Sequence, residues 1–145
     1  MSRPEIENLV GTYCDSVLRF DPETFGSTWA EDAKWGIPGA GVLEGRQAIV
    51  ATFTEIRGTY RRCVQEILNG VVVEDGPDRA TAHWQVRELQ WRGDGTESEL
   101  IGVYHDAVVR TETGWKFARR DFELVYDGPL SLPGRLREPR PAPVG

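Results

Sequence analysis

The sequence predicts a single α+β domain in which N-terminal helices cover one face of a strongly curved, mostly antiparallel sheet. Two observations carry this: apolar residues recur at helical spacing over the first third of the chain, and from residue 61 the period becomes extended, with β-branched runs separated by Gly, Asp and Pro. Helices first and a meander afterwards is the α+β pattern, not the alternation of βαβ units.

Ser2 and Glu5 have the spacing of a capping box, and Ile6, Leu9, Val10, Tyr13, Val17 and Phe20 then form one apolar helical stripe. Asp21-Pro22 reads as an N-cap followed by Pro at the first helical position, opening a short second helix through Phe25 and Trp29. Trp35-Gly36-Ile37-Pro38 reads as a short strand running into a loop with Gly39, Gly41 and Gly45. Those glycines lack GxGxxG spacing and no strand–loop–helix unit follows, so they make turns and do not bind phosphate. A third helix carries Ala48, Ile49, Phe53 and Ile56 and ends at Gly58.

Four long antiparallel strands are expected at about 61–74, 79–91, 98–110 and 115–126, joined through Asp75-Gly76-Pro77-Asp78, Arg92-Gly93-Asp94-Gly95 and Glu112-Thr113-Gly114. The domain therefore spans 1–126. A tail from 127 to 145 carries Pro129, Pro133, Pro139, Pro141 and Pro143, and is expected to wrap the domain, lie on a neighbouring subunit or move freely.

Composition narrows the function classes. A chain of 145 residues with 39% hydrophobic and 28% charged residues is that of an ordinary globular protein, and five Trp, five Phe and four Tyr supply bulk for a core or an apolar pocket. The net charge is −6 and no stretch gathers Lys and Arg without acids between them, so nucleic acid is not an expected partner. Neither a membrane span nor an apolar leader is visible, and the expected location is cytoplasmic. Cys14 and Cys63 have no CxxC spacing and no neighbouring His cluster, which predicts free thiols and no metal.

At five places the chain resembles the SnoaL-like group within the NTF2-like superfamily. The carriers are Tyr13; Trp29-Ala30-Glu31-Asp32-Ala33-Lys34-Trp35; Gly45-Arg46-Gln47-Ala48-Ile49; Gly102-Val103-Tyr104-His105-Asp106; and Gly114-Trp115-Lys116-Phe117-Ala118-Arg119-Arg120, spread over about residues 5–126. The resemblance implies a cone-shaped α+β domain. Relatives of that group include dehydratases, a dehydrochlorinase, ketosteroid isomerases, polyketide cyclases, epoxide hydrolases and non-enzymatic binding domains, so the fold does not by itself choose an activity.

Departures from the family pattern are equally informative. The dehydratase and dehydrochlorinase branch pairs an Asp, five residues beyond the Tyr13 position, with a His on the first long strand; this chain has Leu18 and, at the His position, Gln65 or Glu66. The steroid-isomerase base is replaced by Ile37. Asp21 is better used as a helix cap than as a substitute.

Candidate residues follow from strand parity. Gly102, Tyr104, Asp106 and Val108 share one face, which places Asp106 in the pocket if that face is concave; apolar walls would favour its neutral form, whereas pairing with Arg119 or Arg120 would keep it ionised. Tyr13 is the expected donor to a developing oxyanion. Glu66 is a candidate base if Val64, Glu66, Leu68 and Val72 face inward, and the row of Cys63, Gln65, Ile67 and Asn69 is the alternative register. His83 belongs to the outward row Thr81, Gln85 and Arg87, and His105 has the opposite parity to Asp106. Trp35, Phe53, Trp84, Tyr104 and Arg120 are the expected substrate contacts, while Asp121 reads as a charged strand-edge residue.

These readings lead to a cofactor-independent lyase or isomerase acting by proton transfer on a small apolar, cyclic or aromatic compound. A non-catalytic binding or assembly domain is the alternative, and an epoxide hydrolase or polyketide-cyclase-like enzyme a second. A homodimer or homotrimer is expected, because the helices suffice to cover only one face of the sheet and the other, with His83, Gln85, Arg87, Leu89 and Trp91, mixes polar and large apolar groups.

Overall fold

In the computed structural model, which describes residues 2–141, three helices and six strands follow in the order α1 (Arg3–Arg19), α2 (Pro22–Ser27), β1 (Trp29–Ile37), β2 (Gly41–Glu44), α3 (Arg46–Arg57), β3 (Tyr60–Glu74), β4 (Arg79–Arg92), β5 (Glu97–Thr111) and β6 (Gly114–Pro129). One six-stranded sheet has the order β2-β1-β6-β5-β4-β3. β1 runs parallel to β6 and every other pair is antiparallel. The four long strands lie where alternation placed them, with β6 continuing past Tyr126 to Pro129.

Three local expectations are corrected. Trp29 opens β1 and does not belong to α2: its register partner is Phe117, it is fully buried, and the Phe117 N–H donates to Thr28 O at 2.8 Å, so pairing with β6 outweighs local helix preference. The Gly-rich segment contains a second strand, β2, which folds back on β1 with Ile37 opposite Gly41. It shows no apolar alternation because only Leu43 is even half-buried. Ser2 occupies the α1 N-cap but its side chain caps nothing; instead its backbone N–H donates to Glu74 Oε1 at 3.0 Å, tying the helix start to the end of β3. Asp21 caps α2 as expected, accepting from Thr24 N at 3.1 Å.

Curvature comes from register shifts between Ile67 and Asn69 on β3 and at two places between β5 and β6. Two glycines let aromatic rings lie across the strands. A Cβ at Gly102 would stand 2.3 Å from Phe122 Cζ, and one at Gly70 would stand 2.1 Å from Trp84 Cε3.

The helices pack Ile6, Leu9, Val10, Tyr13, Val17, Phe25, Ile49 and Phe53 onto the inner sheet face, where Phe25 and Phe53 stack at 3.7 Å. Buried Arg57, in the last turn of α3, donates to Val17 O at 2.6 Å and Leu18 O at 3.1 Å. It thereby satisfies carbonyls at the C-terminus of α1, where a cation also opposes the negative end of the helix dipole.

From Leu130 to Pro141, the described residues beyond β6, the chain forms no helix or strand. Ser131 Oγ donates to Glu99 Oε2 at 3.2 Å and Glu138 approaches Arg61 at 3.7 Å, so this segment passes outside β4 on its way from β5 to β3. Leu89, an outward residue of β4, is 5% exposed. Of the expected tail prolines, Pro143 lies outside the described residues.

Candidate active site

Between the helices and the inner sheet face lies a cavity of about 300 Å³ that is half open to solvent. Its walls are mainly apolar and aromatic: Tyr13 and Val17 of α1, Trp35 and Ile37 of β1, Phe53 and Ile56 of α3, Tyr60 of β3, Tyr104 and Leu100 of β5, and Phe122 and Leu124 of β6. Polar groups converge from β3 and β4, namely Cys63, Gln65, Glu88 and Gln90. Arg57 also reaches the lining, but its guanidinium is engaged by three backbone carbonyls, those of Val17, Leu18 and Tyr60.

Glu88 is the carboxylate on this wall. Gln65 Nε2 donates to its Oε1 at 2.6 Å and Gln90 Nε2 donates to its Oε2, so each oxygen receives a neutral amide and neither receives a cation. The same Gln65 amide donates to Tyr104 Oη at 2.9 Å. Gln65 Oε1 is left buried without a partner, because the amide's NH2 end is turned to Glu88 and Tyr104. A line Gln90–Glu88–Gln65–Tyr104 therefore joins three strands.

Beside that line stands Tyr13, its ring edge-on to Tyr104 with centroids 5.8 Å apart. Burial pushes the Tyr13 and Tyr104 hydroxyls well above the ordinary phenol range, and Arg120 pulls both part of the way back. Both are therefore neutral hydrogen-bond donors at any physiological pH. Burial, and then neighbouring Glu88, raise the Cys63 thiol, and Cys14 is pushed up to about 11. Both cysteines are free thiols. Among the described residues no group of three His, Cys, Asp or Glu side chains is placed to hold a metal ion, and no helix is long and apolar enough to cross a membrane.

Of the expected site residues, Tyr13, Trp35, Phe53 and Tyr104 line the cavity. Asp106 does face inward, yet it lies outside the lining, in a closed layer where Arg120 Nε donates to Oδ1 at 2.8 Å and Nη2 to Oδ2 at 3.0 Å. Arg120 is fully buried with its guanidinium 3.7 Å from the Tyr104 ring centroid and 4.4 Å from that of Tyr13. Burial pushes the Asp106 carboxyl upward and Arg120 draws it back; burial opposes the Arg120 charge, and Asp106 more than restores it. Placing Asp106 and Arg120 at the cavity surface was therefore incorrect: register sets them directly opposite each other on β5 and β6, and two buried opposite charges pair.

Trp84 is also displaced from its expected role, packed against Gly70 in the core away from the cavity. Glu66 points to the outer face, 3.3 Å from Arg87, because Cys63 and Gln65 form the inward row of β3 before its bulge. His83 and His105 are exposed, as parity predicted, with His105 2.8 Å from Glu123. Asp121 pairs with Arg119 at 2.7 Å on the same exposed face.

Glu88 was missed by the sequence reading, although a signal existed. The row Ala80, Ala82, Trp84 and Val86 was read as the inward one opposite His83, and two further steps of the same alternation reach Glu88 and Gln90.

Helices packed on an unclosed curved sheet, with a carboxylate and phenols meeting in an aromatic cavity, define the chain as an NTF2-like α+β cone. The profile of the SnoaL-like domain family matches residues 1–121, and the chain belongs to that family. It is 27% identical over 135 residues to γ-hexachlorocyclohexane dehydrochlorinase of Sphingobium indicum, across 90% of this chain and 85% of that one. Among solved structures it is similar to hexachlorocyclohexane dehydrochlorinase LinA-type3 of Novosphingobium barchaimii, with TM-score 0.82, 19% identity and 95% of each chain covered. A candidate scytalone dehydratase of Novosphingobium aromaticivorans superimposes with TM-score 0.83 at 21% identity, covering 95% of this chain and 92% of that one.

Proposed function

We propose that the cavity is the active site of a cofactor-independent lyase that eliminates a small leaving group from a largely apolar cyclic molecule. The observation that carries this reading is Glu88, a carboxylate in an aromatic enclosure whose partners are two neutral amides, so that no cation competes for its basicity. In the step envisaged, Glu88 takes a proton from a ring carbon. The C–H electron pair becomes the new C=C bond, and the leaving group departs from the adjacent carbon with the electrons of its own bond. Tyr13 and Tyr104 donate to the atom on which negative charge grows. Aromatic walls exclude water and favour a flat or cyclic ligand. Similarity to the dehydrochlorinase supports elimination chemistry as the reaction class.

This reading transfers the base from Asp106 and Glu66 to Glu88. Of Gln65 and Glu66, the two residues at the position of the missing His, Gln65 faces the cavity; it cannot accept a proton at neutral pH but can orient a neighbour that does. The chain thus keeps a base in the cavity while lacking the Asp–His pair. An isomerase would use the same first proton transfer and return the proton to another carbon.

The test is solvent-deuterium exchange and elimination measured over a panel of chlorinated cyclohexanes and hydroxylated cyclic ketones. Elimination or exchange catalysed by the native protein should fall by about 10²–10⁴-fold in Glu88→Gln while ligand affinity is kept. Undiminished elimination or exchange in that variant removes Glu88 from the mechanism. Binding without exchange or elimination in the native protein favours the non-catalytic binding domain instead.

A further inference from the structure

Resting on the reading of Glu88 as the base, we propose that Arg92 and Ser98, neither of which lines the cavity, are positioning residues that set the basicity of Glu88 through Gln90. Arg92 Nη2 donates to Gln90 Oε1 at 2.6 Å, and Ser98 Oγ donates to the same oxygen at 2.8 Å. A primary amide with two donors on its oxygen has only its NH2 end left to offer, and that end meets Glu88 Oε2. Gln90 is buried, at 4% exposed, and each of its polar ends is engaged, so it cannot rotate to face Glu88 with its carbonyl without leaving donors and acceptors mismatched.

Three residues of two strands make this arrangement. Residues 88, 90 and 92 share the inner face of β4 by alternation, and Ser98 of β5 is the register partner of Gln90. The Arg92 guanidinium also sits 5.4 Å from the ring centroid of Tyr60, a cavity residue, which holds it over the site rim. A cation that polarises an amide carbonyl strengthens the N–H donors at the other end of the same amide. The consequence for Glu88 is a carboxyl group held from behind by an oriented N–H donor, while its cavity side faces no charge. Gln65 supplies the matching donor on the other oxygen and also donates to Tyr104, so the two amides hold both oxygens of the carboxyl group.

The experiment is a ¹³C NMR titration of protein labelled at Glu Cδ, with the Glu88 signal assigned by its loss in Glu88→Gln. Gln90→Met, which removes the direct donor, should raise the Glu88 pKa most. Ser98→Ala and Arg92→Met should each raise it by about half a pH unit or more, because the charged form loses support. Ser98→Thr and Arg92→Lys retain the donors and should titrate close to the native protein. In the exchange assay, Ser98→Ala should lower kcat only at acidic pH, where the raised pKa leaves less of the base ionised, with KM little changed.

A merely structural role predicts a different result, a lowered unfolding midpoint with Glu88 titrating as in the native protein. Unmoved titration in both Ser98→Ala and Arg92→Met overturns the proposal whatever their stability. If Arg92→Met does not fold, Ser98→Ala decides alone, since it removes one hydroxyl from a half-buried strand position. Failure of the base reading is seen separately, as undiminished exchange in Glu88→Gln, and leaves the NMR outcome intact.

Discussion

Asp106 and Arg120 show how a residue that looks catalytic in a strand pattern can serve the fold. Both side chains are completely shielded from solvent and joined by two hydrogen bonds. Removing one partner strands the other charge, so Asp106→Asn should destabilise the protein by about 3–5 kcal/mol in urea unfolding. A double Asp106→Leu, Arg120→Met variant should recover most of that loss, because no charge is left unpaired. Tyr13 belongs to the opposite category: its ring is core and its hydroxyl is placed beside the cavity line. Tyr13→Phe should slow exchange by roughly 10–1000-fold with a small change in stability. Loss confined to stability would return Tyr13 to the core.

At the scale of elements, the short helix α2 depends on Asp21, whose side chain accepts from both the backbone and the hydroxyl of Thr24. Those hydrogen bonds, the hydroxyl first, hold the Asp21 carboxyl below the ordinary range. A depressed native pKa means the cap's contribution is present above the unfolded carboxylate value and is lost as pH falls through the native one. Asp21→Ala should cost about 0.5–2 kcal/mol at neutral pH, and Asp21→Asn should retain the cap while removing its acid dependence. Comparing unfolding midpoints at pH 7 and at pH 3 for the three proteins checks both. In β3, Gly70 leaves space for the Trp84 ring, and a methyl there would collide with it at 2.1 Å. Gly70→Ala should therefore destabilise by about 1–3 kcal/mol, through displacement of the ring or a shift of the strand.

Across the whole molecule, the two faces of the sheet are finished differently. Helices close the inner face and leave a cavity at its wide end, whereas part of the outer face is crossed by the chain's own segment beyond Pro129. Truncation after Pro129 should lower stability by about 1–2 kcal/mol and leave the reaction proposed for Glu88 unchanged, since the residues the segment pairs with, Glu99 and Arg61, lie outside the cavity lining. On the surface where a second subunit was expected, His83 and Gln85 are exposed while Leu89 is buried.

Alternation and helical period by themselves determined α1, α3, the four long strands, the outward positions of His83 and His105, and the Asp21 cap. Each of these is a local regularity, in which neighbours a few residues apart decide which face is apolar or which donor is satisfied. The strand β2, the assignment of Trp29 to β1 and the place of Glu88 in the cavity wall were decided only by the tertiary structure. β2 is held by pairing with β1 and not by an apolar face, and Trp29 by pairing with β6 against its local helix signal. Glu88 continues an inward row whose residues turn from apolar to polar where the cone widens, and only the assembled helices show that this end encloses a cavity. Asp106 has the right parity for the same cavity, but a cation directly across from it on β6 claims it. Parity is a property of one strand, whereas the choice between a buried pair and a free carboxylate depends on which charges the register brings opposite, and that information is nonlocal.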